Sequence, residues 1–311
     1  MHRRCVERGL TVKRDVVMHV IRALDPEGVR LRRRRRLERR RYLSVGPNFA
    51  WHLDSYDKLK PYGVAINGCI DGFSRRVLWL RANSTNNDPR IIAGYFMETV
   101  ESCGGCPLLI SADRGTENST VERLQIFLRR NGNDNYAEQA SFRHGASHHN
   151  QRIECWWAFL RKHWTQFWMK LFLQLKHDGF FDGSLLDKSL LQFCFTKVIQ
   201  EELNQIVLEW NAHPIRRSRN AGAPFGRPLV MHSAPGLYGR RDDLHPAQKN
   251  EIDFCLEEET TRVLYPCDPE MFEMCSLIME ENQIVAPSDP YQAVDLYVAL
   301  RQEVRMLIDH A

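Results

Sequence analysis

The chain has 311 residues, of which 43% are hydrophobic, so it can bury a sizeable core in one large domain or two ordinary ones. No apolar run reaches the roughly 18 residues of a membrane-spanning helix, and nine cysteines without framework spacing exclude a disulfide-built scaffold. The charge is uneven: residues 1–47 carry 15 Lys and Arg against 5 Asp and Glu, whereas residues 242–311 carry 4 against 16. We therefore expect a reduced, intracellular protein without a membrane partner, with a basic arm for a polyanion.

A helix is predicted near the N-terminus. Apolar residues at positions 17, 20, 21 and 24 follow the helical period, Thr11 is a candidate N-cap, and Gly28 follows the expected end. A turn followed by one helix is typical of the second half of a helix-turn-helix. We interpret residues 1–29 as a partial helix-turn-helix remnant, and an ordinary surface helix is the alternative.

Residues 30–47 are predicted to be an Arg-rich linker. Nine of the twelve residues from 30 to 41 are Arg, and their mutual repulsion disfavours packing into a core. Such a run binds phosphates non-specifically or serves as a nuclear localisation signal, which predicts a nuclear protein; a solvated linker with neither role is the alternative. The predicted nucleic-acid-binding residues here are Arg32, Arg33, Arg34, Arg35, Arg36, Arg39, Arg40 and Arg41.

The body of the chain alternates strands and helices. The hydrophobic pattern predicts strands at 49–54, 62–71, 76–82 and 107–112, and helices at 90–101 and from Ser119 or Thr120 to about 130. Asp88 and Pro89 form a helix start, because a capping carboxylate precedes proline at the first helical position. The polar stretch 131–148 is a predicted loop with one short strand near Phe142. The order βββ-α-β-α favours a mixed α/β sheet over a purely parallel one.

A long helix is predicted from Gln151 to Leu175. Its wide apolar stripe favours core packing of the four tryptophans over stacking on bases. Glu154 lies at the edge of this stripe, and Arg161 and Lys162 project from the adjoining polar face, which suits a nucleic-acid groove or a solvated surface. The stripe comprises Ile153, Trp157, Leu160, Trp164, Phe167, Trp168, Leu171 and Leu175, and the polar face also includes Ala158 and Thr165.

The remaining segments are a helix at 185–210, a basic and Gly/Pro-containing coil to about 239, and an acidic C-terminal tail at 236–311. A helix is predicted at 291–309. No residues in the tail suggest chemistry, so we expect it to be an extension of the core domain at 48–235.

Three acids stand where they can converge. Asp54 and Asp113 each end an apolar strand, and Glu154 lies in the first turn of the long helix. Three carboxylates at one point suit hard cations such as Mg²⁺ or Mn²⁺. This arrangement predicts a two-metal phosphoryl-transfer site acting on DNA. Asp71 also ends a strand, but its Asp-Gly-Phe-Ser context favours anchoring a turn.

Four motifs resemble a known family: Trp51-His-Leu-Asp54, Ile70-Asp-Gly-Phe-Ser-Arg75, Ser111-Ala-Asp-Arg-Gly-Thr-Glu-Asn118 and Asn150-Gln-Arg-Ile-Glu154. Over residues 10–235 the chain is similar to the integrase core of retroviral integrases and DDE transposases, most of all to transposon-derived integrase-core proteins of fishes and fungi. The stretch from Asn211 to Pro228 resembles, in altered form, the closing segment of transposases.

The resemblance implies a ribonuclease-H-like fold, a five-stranded mixed sheet flanked by helices. It implies that Asp54, Asp113 and Glu154 are the catalytic residues and the ligands of two Mg²⁺ or Mn²⁺ ions. It also implies DNA as substrate and a homo-oligomer on DNA. Glu117 and Asn118 are expected to shape the loop after Asp113.

Two departures accompany the resemblance. The spacing between the second and third acids is longer than in retroviral integrases, and no zinc module precedes the core. The alternative functions are a domesticated, transposase-derived nucleic-acid-binding protein without cleavage activity, and a ribonuclease-H-like nuclease acting on RNA hybrids.

Overall fold

The computed structural model describes residues 9–34, 45–145, 150–217, 224–261 and 263–309, together with residues 2 and 5; for 31–34 it describes the backbone. The chain divides into two compact units, Met1–Tyr42 and Leu43–Ala311. No described helix is long and apolar enough to cross a lipid bilayer.

The first unit contains two helices, α1 (Arg14–Leu24) and α2 (Pro26–Arg34). Helix α1 confirms the predicted helix, but its N-cap is Lys13 and not Thr11, and the apolar residues Val20 and Leu24 are exposed. Gly28, however, lies inside α2 instead of following the end of a single helix, because Asp25 accepts a hydrogen bond from the Gly28 N–H at 2.7 Å and Pro26 occupies the first helical position. The predicted linker at 30–47 therefore begins as helix. The side chains of Arg32, Arg33 and Arg34, and the whole of Arg35, Arg36, Arg39, Arg40 and Arg41, lie outside the described residues.

The second unit is built on a five-stranded sheet. Its strands are β1 (Ala50–Tyr56), β2 (Ala65–Asp71), β3 (Val77–Asn83), β5 (Leu109–Ala112) and β6 (Phe142–His144), in the order β3-β2-β1-β5-β6. Strands β1 to β3 are antiparallel, whereas β1, β5 and β6 run parallel to one another. This confirms the predicted mixed sheet of a ribonuclease-H-like fold. Strands β4 (Gly105–Cys106) and β7 (His245–Pro246) form a separate antiparallel pair.

Helices cover both faces of the sheet. They are α3 (Pro89–Cys103), α4 (Ser119–Leu128), α5 (Gln151–Leu160), α6 (Gln166–His177), α7 (Leu185–Ala212), α8 (Pro228–Ser233), α9 (Lys249–Glu259), α10 (Pro269–Glu281) and α11 (Pro290–Asp309). One hydrophobic core forms beneath α3, α4 and α9 and takes Trp51 and Leu53 from β1. The other forms beneath α5, α6, α7, α10 and α11 and takes Tyr56 from β1. Asp88 caps α3 as predicted, accepting from the Arg90 N–H at 2.9 Å.

Two side-chain amides of α7 form hydrogen bonds with the free backbone edge of β3, the last strand of the sheet. Gln200 accepts from the Ala82 N–H at 2.8 Å and donates to the Leu80 carbonyl at 3.0 Å. Asn211 accepts from the Val77 N–H at 2.9 Å and donates to the Val77 carbonyl at 3.0 Å. Because these amides occupy backbone groups that a further strand would use, they protect this edge of the sheet.

The long helix contains a π-helical segment, Arg161–Thr165, between α5 and α6. A π turn holds more residues than an α turn, so it rotates everything that follows relative to the α-helical period. Thr165, predicted on the polar face, is therefore fully buried, and Phe167, predicted in the apolar stripe, is 40% exposed. Trp156, Trp157, Trp164 and Trp168 are all buried, which confirms core packing of the tryptophans.

The acidic C-terminal segment is folded onto the core. Helix α11 confirms the predicted helix at 291–309, and its buried residues Ala293, Tyr297, Leu300 and Val304 recur at helical spacing in the same core as α7. The core and this segment belong to one compact unit.

Candidate active site

Asp54 lies on the central strand β1 and is held by an indole. The Trp157 N–H of α5 donates to Asp54 Oδ2 at 2.8 Å, and the Trp157 ring stacks on Tyr56 with centroids 4.9 Å apart. Gly68 is paired with Asp54 on the neighbouring strand, and a Cβ at this position would stand 2.8 Å from the Trp157 ring. Glycine therefore leaves the space through which Trp157 reaches the carboxylate.

Asn150 ties the start of α5 to the same strand. Its amide nitrogen donates to the Leu53 carbonyl at 2.8 Å, and its amide oxygen lies 2.7 Å from His52 Nδ1. Because the nitrogen of this amide faces Leu53, His52 Nδ1 is the donor to its oxygen. The Asn150 carbonyl accepts from the Glu154 N–H at 3.2 Å. Asn150 thereby fixes the first turn of α5, which carries Glu154, to the strand that carries Asp54.

His52 is a buried, neutral side chain that positions Asn150. Burial lowers the pKa of His52 to about 4; the hydrogen bond to Asn150 opposes this shift, and the positive charges of Arg152 and Arg143 add to it. The imidazole is uncharged near neutral pH, so it stays a fixed donor to Asn150.

Asp113 follows β5, and its Oδ1 accepts two hydrogen bonds. The Gly115 N–H donates at 3.1 Å and the Asn118 side-chain amide donates at 3.0 Å. Since Asn118 is buried at the start of α4, these bonds fix the orientation of the carboxylate. The expectation that Asn118 shapes the loop after Asp113 is confirmed.

Asp71 is a structural residue. It is fully buried, and its two carboxylate oxygens accept from the Asn48 N–H at 2.8 Å and from the N–H and hydroxyl of Ser74 at 2.7 and 2.6 Å. The predicted role of Asp71 as a turn anchor is confirmed.

The three predicted acids share one electrostatic neighbourhood. Burial raises the pKa of Asp54 to about 7; the Trp157 hydrogen bond opposes the shift, and the negative charges of Glu154 and Asp113 add to it. Asp54 and Asp113 are partly buried, whereas Glu154 is exposed. Within the part of the chain that the structure describes, no three metal-capable side chains are gathered into a preassembled cation site.

Basic side chains lie on elements that carry or adjoin the acids. Arg161 and Lys162 are exposed on the π-helical segment, and the charge of Arg161 acts to lower the pKa of Tyr56, which places it near the Asp54 end of β1. Arg152 donates from Nε to the Gly72 carbonyl at 3.0 Å, and Arg143 is exposed on β6. This arrangement can engage the phosphates of a polyanion that approaches the acids.

The supporting roles of Trp157, Asn150 and Gly68 were not predicted from the sequence. Each has a feature in the sequence: Trp157 follows Glu154 by three residues on one helix, Asn150 stands at the helix start, and Gly68 interrupts a mostly apolar strand. A glycine inside a strand marks close approach of another group. The partner of each residue depended on the tertiary fold.

Comparison with known families places the site in context. Residues 42–225, more than half of the chain, match the model of the integrase core domain. The match contains β1 to β6, all three acids and the π-helical segment, and it ends before α8. Among curated proteins, no sequence matches the chain.

Proposed function

This chain belongs to the integrase core domain family, and we propose that it is a DDE-type polynucleotidyl transferase that cleaves DNA phosphodiester bonds and transfers DNA strands. The observation that carries the proposal is Asp54: a partly buried carboxylate on the central strand whose pKa is raised to about 7, in part by the charges of Glu154 and Asp113. Strongly perturbed carboxylates of this kind cluster at functional sites.

The three acids fit divalent metal ions. All three supply hard oxygen donors, and their repulsion is relieved by a cation, so Asp54, Asp113 and Glu154 would hold Mg²⁺ or Mn²⁺. When bound, two such ions activate the attacking oxygen and stabilise the charge on the leaving oxygen. The chain's own residues orient the ligands: Trp157 fixes one oxygen of Asp54, and Asn118 fixes one oxygen of Asp113.

The metal-free protein should lose stability as Asp54 ionises. The folded-state pKa of about 7 exceeds the ordinary value of 3.8, so between these values the native state holds a proton that the unfolded state has lost. The free energy of unfolding therefore falls as pH rises through this window. In EDTA, the free energy of unfolding of Asp54→Asn, relative to that of wild type, should increase by about 2–4 kcal/mol from pH 4 to pH 8. Urea titrations at both pH values measure this difference.

Added Mn²⁺ supplies the matched comparison at pH 8. It should raise the melting temperature of wild type by mass action and have little effect on Asp54→Asn. If the free energies of unfolding of the two proteins change in parallel over this pH range, Asp54 does not have a raised pKa. If both proteins respond equally to Mn²⁺, Asp54 is not a metal ligand.

DNA is the proposed partner, and the protein is proposed to act as a homo-oligomer on it. Arg161 and Lys162 contact the DNA backbone near the acids, and Arg32 to Arg36 and Arg39 to Arg41 supply non-specific affinity through counterion release. The same arginine run is proposed to direct the protein to the nucleus. An origin in a transposon-encoded integrase, of the kind found in fishes and fungi, accounts for the combination of motifs.

Neutralising the arm should flatten the salt dependence of DNA binding. With Arg35, Arg36, Arg39, Arg40 and Arg41 replaced by Gln, the slope of log K against log salt should fall by about 0.9 for each phosphate that the arm no longer neutralises, several units in total. Fluorescence anisotropy on a labelled duplex from low to moderate salt measures the slope. Lys249→Gln, on the acidic α9, is the control and should leave the slope unchanged; an unchanged slope in the arm variant would remove the arm from DNA binding.

A second candidate is a DNA-binding protein of the same family without cleavage activity. It is favoured by one observation: the described residues contain no preassembled group of three metal ligands. In this case the fold would bind DNA while the acids served no reaction.

A cleavage assay separates the two functions. End-labelled DNA duplexes and an RNA·DNA hybrid are incubated with the full chain and Mn²⁺, and the products are resolved on a denaturing gel. Nicks or joined strands on DNA support the transferase, and cleavage confined to the hybrid indicates a ribonuclease-H-like nuclease. DNA binding without products, on every duplex end tested, supports the non-cleaving protein.

A further inference from the structure

Arg75 ends the turn between β2 and β3, and its backbone is held in an uncommon conformation. Its φ of 64° lies in the left-handed region, which few residues with a side chain adopt. Two hydrogen bonds hold it there: the Arg75 N–H donates to the Asp71 carbonyl at 3.0 Å, and the Trp210 indole of α7 donates to the Arg75 carbonyl at 2.7 Å. Backbone strain of this kind is retained mainly at functional sites, which draws attention to the Arg75 side chain.

A second arginine reaches the same turn. Arg152, in the first turn of α5, donates from Nε to the carbonyl of Gly72, three residues before Arg75. The two guanidinium groups interact electrostatically: burial lowers the pKa of Arg75 to about 10, and the positive charge of Arg152 adds to this shift. Because two like charges are held at one turn, an anion bound by both would relieve their repulsion.

The Arg75 guanidinium has one N–H group that is accessible and unpaired. Its Nη2 donates to the Pro224 carbonyl, and its Nε is buried. In the part of the chain that the structure describes, Nη1 has no hydrogen-bonding partner, is not buried, and no carboxylate forms an ion pair with Arg75. A guanidinium in this state can donate to an oxygen anion, and phosphate oxygens suit its planar geometry.

This turn lies near the acids on the path of a bound polymer. Gly72 lies four residues beyond Gly68, the partner of Asp54 in the β1–β2 ladder, so the turn is roughly 13 Å from Asp54 at about 3.3 Å per residue. That length corresponds to about four base pairs of a duplex at about 3.4 Å each. We propose that Arg75 and Arg152 together bind one phosphate of the DNA backbone, a few nucleotides from the phosphodiester bond at the acids. This inference rests on the proposed function, in that DNA is the ligand.

The salt dependence of DNA binding tests the shared phosphate. Arg75→Gln combined with Arg152→Gln should weaken binding of the full chain to a labelled duplex about tenfold and flatten the slope of log K against log salt by about 0.9, the value for one phosphate. Arg81→Gln is the matched control: Arg81 lies on β3 and pairs with Glu98 at 3.1 Å, so its loss should leave the slope unchanged. An unchanged slope in the double variant would overturn the site. A fall of about 1.8 would overturn the shared phosphate, because each arginine would then hold its own.

Cys155 gives a local measurement that requires no change to either arginine. Its thiol is exposed, follows Arg152 by three residues on the same helix, and interacts with the charge of Arg75. Saturating duplex DNA should therefore slow the alkylation of Cys155 by iodoacetamide severalfold in the wild-type chain, and Cys155→Ser identifies the labelled thiol. Undiminished alkylation while DNA is bound would overturn the site. Equal protection by inorganic phosphate at the same phosphate concentration would mean that the site takes free phosphate and not the DNA backbone.

These outcomes are distinguishable from those of the cleavage assay. DNA binding with the expected loss of slope in the double variant, but without cleaved product from wild type, would support this phosphate site and contradict the transferase. Cleavage by wild type together with an unchanged slope in the double variant would overturn the phosphate site alone.

Discussion

Replacing any one of Asp54, Asp113 and Glu154 with its amide will abolish DNA cleavage and strand transfer, with a loss of at least about 10³-fold. An amide keeps the size of the side chain and removes its negative charge, so the fold is retained while the capacity to hold a cation is lost. Product formation by Asp54→Asn, Asp113→Asn and Glu154→Gln, measured on an end-labelled duplex with Mn²⁺ on a denaturing gel, checks this expectation.

The double variants distinguish a shared site from independent effects. Because the three acids would act as one unit, Asp54→Asn combined with Glu154→Gln should lose little more activity than either change alone. Losses that multiply would mean that the acids act separately. Nicking that persists in Glu154→Gln would mean that the chemistry resides elsewhere in the chain or in a contaminating nuclease.

Arg161→Ala supplies the matched control on the same helix. Arg161 is exposed and carries no predicted metal role, so its loss should weaken DNA binding and leave the Mn²⁺-induced rise in melting temperature intact. The acid variants should show the opposite pattern, with DNA binding retained and the response to Mn²⁺ abolished. If Arg161→Ala and Glu154→Gln behave alike in both measurements, the division between metal ligands and DNA-binding residues is wrong.

The sheet was predictable because its pattern is local. The alternation from Trp51 to Asp54, the apolar run ending at Asp71 and the cap at Asp88 each carry their own signal of strand or helix. These signals placed Asp113 at a strand end and Glu154 in a first helical turn, where the structure has them, whereas Asp54, predicted at a strand end, lies inside β1, which continues to Tyr56. They could not indicate that the Trp157 indole donates to Asp54. This contact depends on the packing of α5 over two strands and on the space left by Gly68.

The wrong placement of Thr165 and Phe167 has a physical cause. An unbroken α-helix would expose Thr165 and bury Phe167, and the π turn exchanges them. The acidic composition of residues 236–311 did not indicate how this segment packs, since a net charge describes the surface and says little about packing. The basic residues of this segment show how it packs. Arg301 and Arg305 are one turn apart and face a buried acid of α7.

Asp187 is that acid, and it is one of the points at which the C-terminal segment is joined to the core. The carboxylate is fully buried; it accepts from Arg301 Nε at 2.8 Å and Nη2 at 3.2 Å, and from the Asp182 N–H at 2.7 Å. Nearby, the Tyr297 hydroxyl donates to the Phe180 carbonyl at 2.8 Å. Helix α11 lies beyond the residues that match the integrase core domain, so this ion pair stabilises the family fold from outside it.

Arg301→Met should lower the free energy of unfolding by about 3–5 kcal/mol, because it leaves a buried carboxylate without its bidentate partner. The urea midpoint of the full chain measures the loss. Lys249→Met is the matched control: Lys249 is 78% exposed and pairs with Glu101 and Asp253 on the surface, so its removal should cost less than about 1 kcal/mol. Asp187→Asn with Arg301→Met should cost less than the sum of the single changes, since the double variant buries no uncompensated charge. Equal, small losses for Arg301→Met and Lys249→Met would mean that the Arg301–Asp187 ion pair does not stabilise the core.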